Sequence, residues 1–284
     1  MPNTSATHPA LPVVLVGAAG RMGREIAALV RDDQGLVLAA ALEAAGSPAL
    51  GAPLCDAKNR TSPPVVAELG GWDPTSSAAG TVVIDFSSPA GLRVLLERLA
   101  RRPLPLVCGT TGLAQDDERL LDELARRAPV LCAPNMSVGV AAARAAAALL
   151  ARALGEGFDV EIAEIHHGAK KDAPSGTALA LARSVCEARG EAVERVLDRT
   201  TRGRPREKGG VGLVALRGGA VVGEHTVYFL GEDERIELVH RASSRRVFAR
   251  GALRAARWLA GRAAGRYVID DIFDGPIPPG ISNP

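Results

Sequence analysis

Leu11-Pro12-Val13-Val14-Leu15-Val16-Gly17-Ala18-Ala19-Gly20-Arg21-Met22-Gly23 decides the fold. Its first six residues are wholly apolar, as expected for a strand buried on both faces. The following turn carries glycines at 17, 20 and 23, and Arg24 to Arg31 continue at helical spacing through Ile26, Leu29 and Val30. Strand, glycine turn and helix in that order open a dinucleotide-binding βαβ unit. The spacing i, i+3, i+6 is not GxGxxG, but the physics is the same. It makes a tight turn, lets backbone approach a pyrophosphate and aims a helix N-terminus at that anion. Residues 36–42 are the next apolar strand, and Glu43 at its tip is placed to grip adenosine ribose hydroxyls. An ordinary βαβ crossover with no ligand is the competing reading.

Outward from this unit, strands keep alternating with helices. Residues 44–79 are rich in Gly, Pro and Ser and read as loop, with at most one short strand near Val65-Val66. Residues 81–86 form a buried strand, and Ser87-Ser88-Pro89 cap a helix running to Ala100. A strand over 104–108 ends in Gly109-Thr110-Thr111-Gly112, a helix covers 116–127, and a strand over 129–132 ends in Ala133-Pro134-Asn135-Met136. Such alternation predicts an α/β fold, a Rossmann-like doubly wound parallel sheet. Ligands of these sheets gather beyond the carboxyl ends of the strands. The cofactor contacts expected along that crevice are therefore Gly17, Ala18, Ala19, Gly20, Arg21, Met22, Glu43, Gly109, Thr110, Thr111, Ala133, Pro134, Asn135 and Met136.

After an alanine-rich helix opened by Ser137, the pattern changes. A strand over 158–165 is followed by one helix, from Thr177 to Arg189, and then by strands over 211–216, 220–230 and 235–242. Consecutive strands predict a second, α+β domain with a mixed or antiparallel sheet. The single helix after Thr177 cannot cover all of them, so an apolar face is left for a partner. Arg199 to Lys208 reads as a flexible basic loop, and Ser243 or Ser244 as the cap of a last helix from Val247 to Arg262.

The chemistry concentrates in Glu164-Ile165-His166-His167-Gly168-Ala169-Lys170-Lys171-Asp172-Ala173-Pro174-Ser175-Gly176-Thr177. Imidazole exchanges protons near neutral pH. Lys170 and Lys171 add positive charge or a second proton for an anionic substrate. Asp172 is the expected cap and Pro174 the expected first-turn residue. The N–H groups of Gly176 and Thr177, at a helix start, form a carboxylate seat. A solvated loop with idle histidines and lysines is the bland alternative.

Bulk properties bound the rest. The chain has 284 residues, 47% of them hydrophobic and only 3% aromatic, so Ala, Val and Leu must build its core. A net charge of +2 gives no reason to expect nucleic acid or membrane partners. No apolar run appears long enough to cross a bilayer. The first ten residues show no secretory signal and read as a disordered tail. Cys55, Cys108, Cys132 and Cys186 lack metal-ligand or CxxC spacing, so no metal is expected, and reduced thiols in a cytoplasmic protein are the default.

These motifs, in this order, resemble the dihydrodipicolinate reductase family. The resemblance rests on the first glycine turn, on Gly109-Thr110-Thr111-Gly112 and on Ala133 to Gly139. It extends through the His166 to Thr177 block, Val222-Gly223-Glu224-His225-Thr226, and His240-Arg241-Ala242-Ser243-Ser244-Arg245. It implies a dinucleotide-binding domain over 11–136 and 246–284, completed by the C-terminal helix. The inserted domain, 137–245, binds substrate and forms a homotetramer. It implies reduction of 4-hydroxy-tetrahydrodipicolinate, a small dicarboxylate, by nicotinamide hydride in diaminopimelate and lysine biosynthesis. By position, His166 is the proton donor and acceptor, Lys170 a second proton donor, and His167, Gly176 and Thr177 are substrate ligands.

Two stretches depart from the family pattern. Gly168-Ala169 stand where many members carry basic residues, and Ala44 follows Glu43 where NADPH-using members often place a cation. Glu43 followed by Ala44 points to NADH as the preferred cofactor, with NADPH usable. The rival readings are another two-domain Rossmann oxidoreductase acting on a small carboxylate, and a non-catalytic nucleotide-binding sensor. The pair His166 and Lys170 speaks against a sensor, which needs no proton donors.

Overall fold

The computed structural model describes residues 9–54, 66–192 and 210–273. Residues 1–8 of the expected tail and the basic loop from Arg199 to Lys208 lie outside them. The chain divides into two compact units, with boundaries between Met136 and Ser137 and between Arg245 and Arg246.

The first unit holds a seven-stranded parallel sheet. Its strands are β1 (Leu11–Val16), β2 (Leu36–Glu43), β3 (Val66–Glu68), β4 (Val82–Asp85), β5 (Leu106–Cys108), β6 (Pro129–Cys132) and β11 (Gly265–Tyr267). Their spatial order is β11-β6-β5-β4-β1-β2-β3, every pair parallel. The order reverses between β1 and β4, the switch point at which such sheets open to ligands. The fold class read from the alternation is borne out.

Strands as apolar as Val13 to Val16 can exist only with both faces covered. One face packs on α2 (Pro89–Arg101) and α3 (Gln115–Ala125) through Leu92, Leu95, Leu99, Leu121 and Leu124. On α2, Ser88 is the cap, its Oγ accepting the Gly91 N–H at 3.2 Å. Two further helices, α1 (Arg21–Asp32) and α6 (Arg246–Leu259), pack on each other, and α6 lies against β4, β5 and β6. Strand β11 escaped the sequence reading. Gly265-Arg266-Tyr267 is short and half-buried, and only its pairing with β6, as the edge strand of the sheet, makes it a strand.

The second unit contains α4 (Val138–Leu154), β7 (Asp159–His166), α5 (Gly176–Arg189), β8 (Val211–Arg217), β9 (Gly223–Leu230) and β10 (Arg235–Ala242). Its mixed sheet runs β10-β9-β7-β8, with β7 and β8 parallel and the other pairs antiparallel. Two helices, not one, cover one face. Ala143, Ala147 and Ala151 of α4 join Ala178, Leu181 and Val185 of α5 over Val160, Ile162, Val227 and Phe229. Among the described residues no helix covers the opposite face, on which Val214 (49% exposed), Leu216 (50%) and Val239 (40%) lie.

One bulk expectation needs correction. Val138–Gly157 is long and apolar enough, by length and composition, to span a bilayer. Arg144 and Arg152 interrupt the run, which hides it from a search for uninterrupted apolar stretches. Its buried alanines belong to the core of this unit.

Candidate functional site

Period-two alternation along β7 sends Val160, Ile162, Glu164 and His166 to the helix-covered face. Near the middle of the sheet that face is apolar. At the end of β7 it turns polar, where Glu164 and His166 meet Arg217 from β8, His225 from β9 and His240 from β10. The cluster lies beside the start of α5. Here the structure corrects the expected cap: Ser175 occupies the position, its Oγ accepting the Ala178 N–H at 3.2 Å. Pro174 therefore precedes the cap rather than opening the first turn, and Asp172 pairs instead with Lys170 at 2.8 Å. Gly176 and Thr177 are the first two helical residues, where N–H groups have no intrahelical acceptor.

Glu164 is fully buried and has both oxygens engaged. Oε2 meets His166 Nδ1 at 2.5 Å and accepts from Arg217 Nη1 at 2.8 Å. Oε1 accepts from the Ser175 N–H at 2.9 Å and from Arg217 Nη2 at 2.8 Å. Burial alone would raise this carboxyl. Arg217, His166 and the Ser175 N–H outweigh it and hold Glu164 below the usual carboxylate range. Arg217 also donates to the Asp172 carbonyl at 2.6 Å, tying the lysine loop to the sheet. His167 hangs from the next turn by its N–H to the Val221 carbonyl.

His225 sits edge-on to His166, centroids 5.2 Å apart, with Nε2 at 3.2 Å from Ser175 Oγ. Burial first, then the fields of His166 and His240, push its pKa down to about 4. It is a neutral imidazole at pH 7. His240 lies next to it, centroids 6.3 Å apart, and burial lowers its pKa too. Among the described residues the Nδ1 atoms of His225 and His240 are buried without hydrogen-bond partners.

The sequence reading found His166, His167, Lys170, Gly176 and Thr177 but assigned no role to Glu164, Arg217, Ser175, His225 or His240. One signal was present: Glu164 occupies an inward position of an alternating strand, where an acid must have a partner. Arg217 gave none, since an arginine ahead of Gly218-Gly219 reads as the end of a strand.

In the first unit, the carboxyl ends of β1, β2, β4, β5 and β6 lie along one edge of the sheet. Gly17 has φ +73°, and a Cβ there would stand 2.4 Å from the Phe86 carbonyl oxygen, so only glycine fits. At Gly23 a Cβ would strike the carbonyl oxygens of Gly17 and Ala18, so its absence lets α1 start directly on the turn. Gly20 caps α1 with no side chain, and the first turn contains no acid. This is an N-terminus suited to an outside anion. Glu43 ends β2 with Oε1 accepting the Ala19 N–H at 2.7 Å. Arg24 Nε donates to the Ala19 carbonyl at 2.9 Å, which puts a guanidinium at the same turn, while Arg21 is exposed.

The later loops are partly spent on the protein itself. Thr110 Oγ1 donates to Asp85 Oδ2 at 2.6 Å and accepts from the Ser87 N–H at 3.0 Å. Asp85 is fully buried at the end of β4. Burial raises its carboxyl, while the hydroxyls of Ser87 and Thr110 pull the other way. Gly109 is packed so closely against the Phe86 ring that a Cβ would overlap it. Thr111 and Pro134 are exposed, whereas Ala133 and the Met136 side chain are buried.

Residues 11–136 match the family model for the dihydrodipicolinate reductase N-terminus, and residues 139–273 the model for its C-terminus. A 4-hydroxy-tetrahydrodipicolinate reductase of Anaeromyxobacter dehalogenans is 46% identical over 264 residues, covering 92% of this chain and 97% of that protein. The one from Myxococcus xanthus is 46% identical over 263 residues, covering 92% and 96%. Among solved structures, a dipicolinate-bound dihydrodipicolinate reductase from a Paenisporosarcina species shares the fold. Its TM-score is 0.68 at 23% identity, over 91% of this chain and 97% of that one. The chain belongs to the dihydrodipicolinate reductase family.

Proposed function

We propose that this oxidoreductase reduces 4-hydroxy-tetrahydrodipicolinate, with His166 as proton donor and acceptor, Lys170 as second proton donor, and His167, Gly176 and Thr177 as substrate ligands. The observation that carries the reading is the position of His166. It is nine-tenths buried, held through Nδ1 by Glu164, and next to a helix start able to seat a carboxylate. When bound, the nicotinamide supplies the hydride. The chain's own residues do the rest. His167 and the first N–H groups of α5 hold the dicarboxylate, and His166, with Lys170 as the second donor, delivers a proton as negative charge develops on the reduced substrate. In the first unit, the N–H groups at the start of α1 take the pyrophosphate. The second oxygen of Glu43 takes a ribose hydroxyl, and the loops at Gly109–Thr111 and Ala133–Met136 border the cofactor. A biosynthetic enzyme whose described cysteines are all free thiols fits a cytoplasmic setting.

The cofactor preference follows from charge. The 2′-phosphate of NADPH is a dianion that would sit against Glu43, and Ala44 offers it no cation. NADH is expected to be preferred about tenfold or more in kcat/KM, worth about 1.4 kcal/mol. One assay tests both points: oxidation of NADH and of NADPH after adding the freshly made product of the preceding synthase. Turnover with neither cofactor rejects the reaction. NADPH equal to or better than NADH rejects the Glu43 argument and points to Arg21 or Arg24 as the phosphate's partner. Glu43→Ala combined with Ala44→Arg should narrow or reverse the preference.

The open face of the second sheet supports a homotetramer. Val214 and Leu216 on β8 and Val239 on β10, at the two edges of the sheet, are exposed apolar side chains on the face away from α4 and α5. Light scattering is expected to give the mass of four chains. A stable, fully active monomer at micromolar concentration would remove this reading.

A further inference from the structure

We infer that Glu164, clamped by Arg217 and the Ser175 N–H, is a positioning residue that holds His166 in the tautomer with its proton on Nδ1 and its working nitrogen at Nε2. The inference rests on the proton-transfer role proposed above for His166 and deepens it.

The argument is one of saturation. A carboxylate offers about four lone-pair directions and, when ionised, donates nothing. Glu164 has four partners: the Nη1 and Nη2 groups of Arg217, the Ser175 N–H, and His166 Nδ1. Its side chain is fully buried, and a bidentate guanidinium keeps it charged. An acceptor-only group at 2.5 Å from Nδ1 requires that nitrogen to be the donor. The neutral ring therefore carries its proton on Nδ1, and Nε2 is the nitrogen left for proton exchange.

The surroundings agree. Gly223 on β9 has no side chain, and a Cβ there would lie 2.9 Å from His166 Nε2, so the missing methyl keeps the space beside that nitrogen clear. His225, whose Nε2 faces Ser175 Oγ, presents a neutral ring to His166 and does not compete for Glu164. Three strands and the α5 cap thus hold one ring: β7 supplies the acid and the histidine, β8 the arginine, and β9 the glycine. In the step itself the Nε2–H bond of the imidazolium breaks. The proton passes to the reduced substrate, the electron pair stays on Nε2, and the ring returns to the Nδ1–H form that Glu164 favours.

Three measurements test this. Nitrogen NMR of the ¹⁵N-histidine-labelled wild-type protein is expected to show neutral His166 protonated at Nδ1; a neutral ring protonated at Nε2 overturns the inference without any variant. Glu164→Gln is expected to lower kcat by roughly 10- to 10⁴-fold, the range for losing a carboxylate behind a functional histidine, with KM changed less than about threefold. In a His166→Gln background the same change should cost almost nothing more. An equal loss in both backgrounds would mean that Glu164 does not act through His166. Failure of the underlying role reads differently: near-wild-type turnover in His166→Gln removes the assignment of His166 and this inference with it. If Glu164→Gln fails to fold, the wild-type tautomer decides alone.

Discussion

Replacing His166 by glutamine is expected to lower turnover by roughly 10²–10⁴-fold, the usual cost of losing a positioned general acid, with dinucleotide affinity almost unchanged. Glutamine keeps a polar side chain of similar reach and can still donate to Glu164, so the buried carboxylate is not stranded and the fold should survive. What is lost is the nitrogen that exchanges a proton. The neighbouring lysines sharpen the test. Lys170 is partly buried and paired with Asp172 at 2.8 Å, whereas Lys171 is exposed. Lys170→Ala should therefore be far more damaging to kcat than Lys171→Ala. Steady-state kinetics, with cofactor titration by fluorescence, decide the matter. Wild-type turnover in folded His166→Gln, or equal mild losses for both lysines, would return the loop to a solvated charge run.

The second large effect concerns acid stability and comes from His225. Its folded pKa of about 4 lies below the 6.5 of an ordinary imidazole, because burial and the nearby His166 and His240 disfavour a charge there. Glu164 faces it with the opposite, favourable sign, and Lys170 adds to the unfavourable field. The sign follows from linkage. The neutral ring is matched to its site, so the contribution is complete above about pH 6.5. It is lost as pH falls towards 4, where the unfolded chain holds a proton that the folded one refuses. The span corresponds to about 3 kcal/mol. Urea unfolding at about pH 7.5 and pH 4.5, which samples most of that span, should show wild-type losing about 2.5 kcal/mol more stability than His225→Gln. Carboxylates contribute alike to both proteins and cancel. Parallel losses in the two would show that His225 is not buried neutral.

Local sequence determined the fold class and the order of its parts. An apolar strand of Val and Leu cannot face water, so residues 13–16 had to lie inside a sheet covered on both sides. A glycine turn running into a helix leaves little choice of connection, and the alternation that follows gives a parallel sheet. The reaction class was legible for a related reason. Histidine, lysine and a helix start occur within fourteen consecutive residues, so their meeting needs no long-range fold to be inferred. The boundaries were less legible. Ser175, Asp172 and Pro174 all carry helix-start chemistry, and only the path of the chain into α5 selected Ser175.

Tertiary structure alone decided what depends on register. Arg217 and His225 both follow Glu164 by more than fifty residues, and each of the three looks unremarkable in its own segment. They meet because β7 pairs with β8 on one side and β9 on the other, which puts Glu164 opposite His225 and His166 opposite Arg217. Shifting either pairing by one residue would turn these side chains to the opposite face of the sheet. The same holds for β11, which is a strand only because β6 offers an edge, and for α4, which covers the second sheet beside α5. Composition and period name the kinds of element a chain can form. Which buried acid finds which arginine is settled by the hydrogen-bond register between strands distant in sequence.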